Sequence, residues 1–393
     1  MHFPVSIVAH AAAISDSHIH SYVGRLDSGS HDVARVLVAD TGHVYLYDYD
    51  GSSLTQALDY TVAGDPSWVA FREPDLLYAV DEWSGNVSLH RLDLAANTGE
   101  LVTTAAGSLA AVHLEFNREG TRMMSSAYGD QAVDVWDVAD EGLILLRTIA
   151  SPGEPGPDPD RQTESHPHQT VLDPSGRFFT VNDLGTDSVL VIDAQDDLFE
   201  IVETLRVEPA GCGPRHSVFY PAGTPAATHL FIVCELTNQV LAYSVAYTGS
   251  SLSFAKQQEI STFDPRSPPA TPDAAAAGEI ALASNNADLY VSNRLTGDPT
   301  DSIAHFRVNP AWAEPLALMN LYSTGGQLPR MFTLNCASEL FVANQDGDGP
   351  GVAILQRNAD GTLVETPKAS IPMSVFGGVD EPAPGPKYIK QIA

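Results

Sequence analysis

The chain has 393 residues, of which 44% are hydrophobic and 18% charged, a globular composition. Twenty Lys and Arg against 50 Asp and Glu give a net charge of −30, a surface that repels phosphate backbones and anionic lipid and so excludes nucleic acid and membrane surfaces as partners. No apolar run approaches the roughly 20 residues of a membrane span. In so acidic a chain, an anionic small-molecule substrate needs local positive charge, which makes the few arginines informative.

In chain order, residues 1–13 are apolar and end in small residues but carry no Lys or Arg, which reads as a weak signal-peptide remnant or a disordered start. Localisation stays open between cytoplasmic and secreted. A first strand pair runs Val36 to Ala39 and Val44 to Tyr47 across Thr41-Gly42. A second unit has Trp68 to Phe71, Asp75 to Val80 and Val87 to Leu92, with an N-glycosylation sequon at Asn86-Val87-Ser88 in its turn. The third has Val112 to Phe116, Met123 to Tyr128 and Val133 to Val138. After a proline-rich connection, Ser151 to Thr163, the fourth has Val171-Leu172, Phe178 to Val181 and Val189 to Ile192, divided by Asp173-Pro174-Ser175-Gly176 and Asn182-Asp183-Leu184-Gly185. The fifth has His216 to Phe219, His229 to Glu235 and Gln239 to Tyr243. The loop Thr262 to Ala277 precedes the sixth, Glu279 to Leu282, Asp288 to Arg294 and Ser302 to Phe306; the seventh is Met331 to Leu334, Glu339 to Asn344 and Val352 to Leu355.

Strand units recurring about every fifty residues, with no long amphipathic helix, define an all-β protein. The expected architecture is a seven-bladed β-propeller of four-stranded antiparallel blades, one domain over residues 1–393. Ring closure needs a strand from one end of the chain, and Ile14 to Val23 and Ile371 to Phe376 are the candidates. The three cysteines, Cys212, Cys234 and Cys336, show neither a disulfide framework nor metal spacing; the simplest reading is three half-buried thiols, with one bridge left open that nothing in the spacing demands.

Four polar residues recur at equivalent places around the expected channel mouth: His168 and Arg215 where inner strands begin, Glu235 and Arg294 where the next strands end. Guanidiniums grip carboxylates or oxyanions in a bidentate manner, and His and Glu pass protons, so the set forms a candidate catalytic apparatus. Each also has an ordinary structural role, such as an Arg after Gly-Pro tying loop carbonyls. Arg330 stands at the same position as Arg215, as a third anion contact or a relic of the repeat, and His166 shapes the turn before His168. Asp183 and Asp187 read as Asx-type turn formers. Trp68, Phe71, Tyr128, Phe219 and Met331 are candidate walls, with Trp68 and Tyr128 as substrate contacts. HExxH, a Gly-rich phosphate loop, an EF-hand and GxSxG are all missing from the sequence.

His166-Pro167-His168-Gln169, Gly211-Cys212-Gly213-Pro214-Arg215-His216, Ser292-Asn293-Arg294, Asp301-Ser302-Ile303-Ala304 and Val342-Ala343-Asn344-Gln345 resemble the lactonase seven-bladed propeller family. That family includes bacterial 6-phosphogluconolactonase and the fungal 3-carboxy-cis,cis-muconate lactonizing enzyme. The resemblance places His168, Arg215, Glu235 and Arg294 on the proposed active site of the muconate enzyme and implies no metal or organic cofactor. It implies a lactone-forming cycloisomerase or a lactonase acting on a small anionic molecule. Fungal relatives also leave open a hetero-Diels-Alderase joining a tropolone quinone methide to a humulene-type terpene, and the segment His18-Ile19-His20-Ser21-Tyr22 leaves room for such a specialised substrate. A non-catalytic binding propeller of the WD40 type would repeat Trp-Asp pairs, whereas Trp136-Asp137 occurs once.

Overall fold

In the computed structural model, which describes residues 33–336, 338–377 and 385–393, the chain forms seven four-stranded antiparallel sheets. The innermost strands, which pack on one another around the axis, are Tyr388–Gln391 for blade one, then Val69–Arg72, Ala111–Phe116, Pro167–Leu172, Pro214–Tyr220, Ala276–Leu282 and Gln327–Leu334 for blades two to seven. Each of the twenty strands anticipated from the apolar runs is present, including the first pair, at Ala34–Asp40 and His43–Tyr49.

A propeller blade buries both faces, which explains why its middle strands read as continuous apolar runs rather than alternating ones. In His229–Cys234, Leu230 and Ile232 pack with Val189 and Val191 of blade four, while Phe231 and Val233 pack with Leu289 and Val291 of blade six. The turns follow the sequence chemistry. The Asp173 carboxylate accepts from the amides of Ser175, Arg177 and Phe178 at 2.9, 3.1 and 2.8 Å, and Gly176 takes the left-handed conformation at φ 78° that a Cβ would strain.

Closure differs from expectation. Tyr388–Gln391 pairs antiparallel with Ala34–Asp40, Val36 opposite Gln391 and Ala39 opposite Tyr388. Ile371 instead lies in the outer strand of blade seven, Leu363–Pro372, and Phe376 packs its ring on Tyr45. Ile14 to Val23, the 1–13 segment and the His18 to Tyr22 stretch fall outside the described residues. The closing strand is latched by Lys387, whose ammonium lies 2.7 Å from both oxygens of Asp65, just ahead of blade two. It escaped notice because its four residues carry only two adjacent apolar side chains, Tyr388 and Ile389.

The cysteine reading is also corrected: Cys212 and Cys234 are joined in a disulfide and fully buried, while Cys336 is exposed and outside the bridge. Residue spacing could not reveal this, because the bridge depends on register, with Pro214 paired opposite Cys234 at the top of blade five. The bridge spans a separation of 22 residues. Replacing both cysteines by alanine is expected to lower unfolding free energy by about 3 kcal/mol through restored loop entropy. Urea denaturation of the double variant against wild type checks this; an unchanged midpoint would remove the bridge as a stabilising element.

Candidate active site at the channel mouth

The inner strands of blades three to seven each carry a register shift at the same height, so that one residue, or two in blade six, bulges out of the ladder. The bulged positions are Val112, His168, Arg215, Gly278-Glu279 and Arg330. A bulge re-aims its side chain away from the interblade cores, and here it presents a ring of different residues to the channel. Glu235 directly follows Cys234, which closes the pairing in blade five, and Arg294 holds the matching place one residue beyond Asn293 in blade six, where it is itself the last paired residue, opposite Ala276.

Local chemistry fixes these positions. The Asp183 carboxylate accepts from the amides of His166, Gly185 and Thr186, tying the approach to His168 onto the second strand. Asp187 is a turn residue with left-handed backbone at φ 48°, and its carboxylate reaches out of the turn to accept from the amides of Gly211 and Gly213 at 2.6 and 2.8 Å, anchoring the neighbouring blade's loop ahead of Arg215. The Glu235 amide donates to Gly213 O at 2.9 Å, and the disulfide joins that loop to the residue before Glu235.

The result is a cluster of three guanidiniums on one carboxylate. Glu235 Oε2 lies 2.9 Å from Arg215 Nε and 2.9 Å from Arg294 Nη2, and Oε1 lies 2.5 Å from Arg161 Nη2. Arg215 also donates to Gly278 O at 3.1 Å and Arg294 to Ala277 O at 3.0 Å. A Cβ at position 278 would stand 2.6 Å from Ser292 Oγ and 2.9 Å from Arg294 Nε, so glycine there lets the Arg294 side chain keep this place. Burial opposes the charge on Glu235, yet Arg294, Arg215 and Arg161 together hold its carboxyl down at about 2. Burial and the neighbouring Arg294 charge lower Arg215 to about 9, leaving it protonated at neutral pH.

His168 is 7% exposed, its ring edge-on to Tyr128 and to His216, with centroid distances of 6.0 and 5.1 Å. Burial first, then Arg215 and His216, hold its imidazole neutral, well below the usual histidine range. The groups that touch His168 are therefore aromatic rings, whereas Glu235 is engaged on both oxygens by arginines. His166 is held apart from the cluster, stacked on the Tyr128 ring at 4.1 Å with Nδ1 donating to Tyr128 O. Arg330 occupies the position equivalent to Arg215, but its guanidinium is paired with Glu82 at 2.6 Å, which neutralises it.

Of the five candidate walls, two lie beside the buried histidines, and Trp68 packs on the flanking interblade cores as well. Trp68 packs on His113, His216 and Tyr388 at centroid distances of 4.1, 5.7 and 5.3 Å, and Tyr128 covers His166. Phe219 and Met331 are buried in interblade cores, and Phe71 packs against the core between blades one and two, so these three are not walls. Their side chains point to the faces of the inner strand that neighbouring blades cover. Sequence reasoning missed Arg161, which sits in the proline-rich connection; its only signal was being a cation in a chain with so few. It also passed over His216 and Glu279, the first of them adjacent to Arg215.

Seven four-stranded blades closed into a ring, with Arg161, Arg215 and Arg294 gathered on Glu235, define a β-propeller that carries a cationic cluster. The chain belongs to the family described as "Lactonase, 7-bladed beta-propeller", whose profile matches residues 22–376, and is a lactonase-type protein. It is 30% identical over 293 residues to the Arthroderma benhamiae protein named "Probable 6-phosphogluconolactonase", covering 72% of this chain and 71% of that one. It is 25% identical to the 6-phosphogluconolactonase of Bacillus subtilis, covering 79% and 86%. The periplasmic gluconolactonase of Pseudomonas aeruginosa shares the fold at a TM-score of 0.76 and 20% identity, over 92% of this chain and 99% of that one.

Proposed function

We propose that the protein is a cofactor-independent enzyme of lactone chemistry, acting on a small organic anion at the channel mouth. One observation carries this reading: three guanidiniums share a single carboxylate, leaving two positive charges unneutralised in a chain of net charge −30. Local charge of the opposite sign to the rest of the surface marks a place for an anionic group. Arg215 and Arg294 hold the substrate carboxylate or phosphate and the oxyanion that develops on the lactone carbonyl. Neutral His168 is the base. It takes a proton from water as oxygen attacks the carbonyl and returns it to the ring oxygen as the acyl bond breaks. Glu235, ionised and clamped, sets the spacing of the arginines rather than moving protons.

The same groups serve the cycloisomerase direction, in which a substrate carboxylate closes on an alkene while a proton adds to the adjacent carbon. The names of the relatives favour hydrolysis. The charged cluster of Arg161, Arg215, Arg294 and Glu235 favours either lactone reaction over the hetero-Diels-Alder reading, which needs an apolar chamber for a terpene.

The test is incubation of the pure protein with 6-phosphogluconolactone, an uncharged lactone of the same ring, 3-carboxymuconate, and a tropolone with humulene, followed by NMR. Turnover of an anionic substrate is expected, with KM rising as salt screens the guanidiniums over about 10 Å at 0.1 M ionic strength. Equal turnover of the uncharged lactone, or product from the terpene pair alone, would overturn the reading.

A further inference from the structure

One layer below His168, His216 Nδ1 lies 2.9 Å from Glu279 Oε1, which also accepts from the Ile280 amide at 2.9 Å. Both side chains are buried, at 1% and 5% exposure. His216 Nε2, Glu279 Oε2, His168 Nδ1 and His113 Nδ1 are all buried without a hydrogen-bond partner. Orphaned buried polar atoms are rare in folded proteins, and four converging on one channel mark a place where a proton, water or substrate group is handled. The carboxylate fixes the tautomer: Nδ1–H donates to Glu279, which leaves Nε2 of His216 as an acceptor; the His168 ring lies 5.1 Å away between centroids with no direct hydrogen bond, so a proton passes between the rings through a bridging water.

Resting on the lactone reading above, we propose that His216 and Glu279 are a proton-holding pair behind His168, taking up the proton that lactone hydrolysis releases. The balance requires such an acceptor. Water adds to the carbonyl and the acyl–oxygen bond breaks; one water proton ends on the new alcohol through His168. The second leaves the new carboxylic acid through His168 and His216 to the Glu279 carboxylate, then passes to solvent. In the ring-closing direction the pair supplies the proton instead.

The electrostatics agree. His216 faces Arg215, Arg294, Arg330, Glu235, His113 and His168, and burial with the arginine charges holds its imidazole neutral. Glu279 faces Arg215 and Arg294 and lies near Tyr388; burial outweighs the arginines and pushes its carboxyl up to about 7. A proton taken up by the pair therefore settles on the carboxyl rather than as a second proton on the ring. A raised carboxyl accepts only when ionised, so the rate climbs as pH rises through the apparent value of the pair.

The experiment compares kcat against pH for wild type, Glu279→Gln and Glu115→Gln on the anionic lactone that wild type hydrolyses. Glu115, on the inner strand of blade three, is likewise pushed to about 7 by burial and serves as the control. Expected are a wild-type rise centred near 7, its loss in Glu279→Gln with kcat about a hundredfold lower and KM little changed, and its retention in Glu115→Gln. A Glu279→Gln enzyme that keeps the rise, or a Glu115→Gln enzyme that loses it, would overturn the proposal. The ¹⁵N resonances of the His216 ring are read in parallel in unmodified protein. A step near neutral pH supports the pair, and a flat trace overturns it even if the variant does not fold. Failure of wild type on every anionic lactone would instead sink the proposed function while the resonances still judge the pair.

Discussion

Arg294→Ala is expected to lower kcat/KM by two to three orders of magnitude, about 3–4 kcal/mol of lost transition-state stabilisation, on the scale of a deleted oxyanion donor. Of the two guanidiniums assigned to substrate, Arg294 is the one whose loss the fold tolerates better. It closes a strand, is 11% exposed at the side chain, and leaves Glu235 with Arg215 and Arg161 as partners. Melting temperature should stay close to wild type while turnover collapses. Arg294→Lys should recover part of the loss, because a point charge remains where the planar fork is gone. Steady-state kinetics on whichever anionic lactone the wild type accepts decide the matter; an unaltered kcat/KM would take Arg294 out of the site.

Glu235→Ala should be the most destabilising single change at the mouth. It strips the common counterion from three arginines, one of which, Arg215, is only 3% exposed at its side chain. Removing one member of a buried ionic cluster and stranding the others costs about 3–5 kcal/mol. Urea denaturation measures this, and sulfate should restore part of the loss by occupying the vacated place between the guanidiniums. The wild-type cluster has a pH signature of definite sign. The Glu235 carboxyl is lowered from 4.5 to about 2 by folding, so its contribution is fully present above 4.5 and disappears as the pH falls toward 2. A variant as stable as wild type, with no response to sulfate, would mean the arginines do not depend on Glu235.

Much of this could be read from the chain before any coordinates, and the physical reason is burial. The first three strands of most blades announce themselves because interblade packing makes them apolar on both sides, as in Leu230 to Val233. The fourth strands were invisible for the opposite reason: Thr98–Ala106 and Glu200–Arg206 are half-exposed or exposed along most of their length and carry no apolar period. At the mouth, His168, Arg215, Glu235 and Arg294 could be chosen because the repeat gave them matching addresses, and the coordinates bring Arg215, Glu235 and Arg294 into direct contact. What the repeat could not supply was partnership. That Arg330 is neutralised by Glu82, that Arg161 reaches in from an irregular loop, and that Cys212 meets Cys234 are contacts between blades or across loops, with no trace in local pattern.

The shared kink in the inner strands carries a lesson for redesign. Val112, His168, Arg215 and Arg330 stand in interchangeable sockets, because the ladder hydrogen bonds resume on either side of each whatever side chain it bears. New chemistry can be dialled in at Val112 without recasting the blade that carries it, so the ring offers a rotary set of mutable fittings on an unchanging frame.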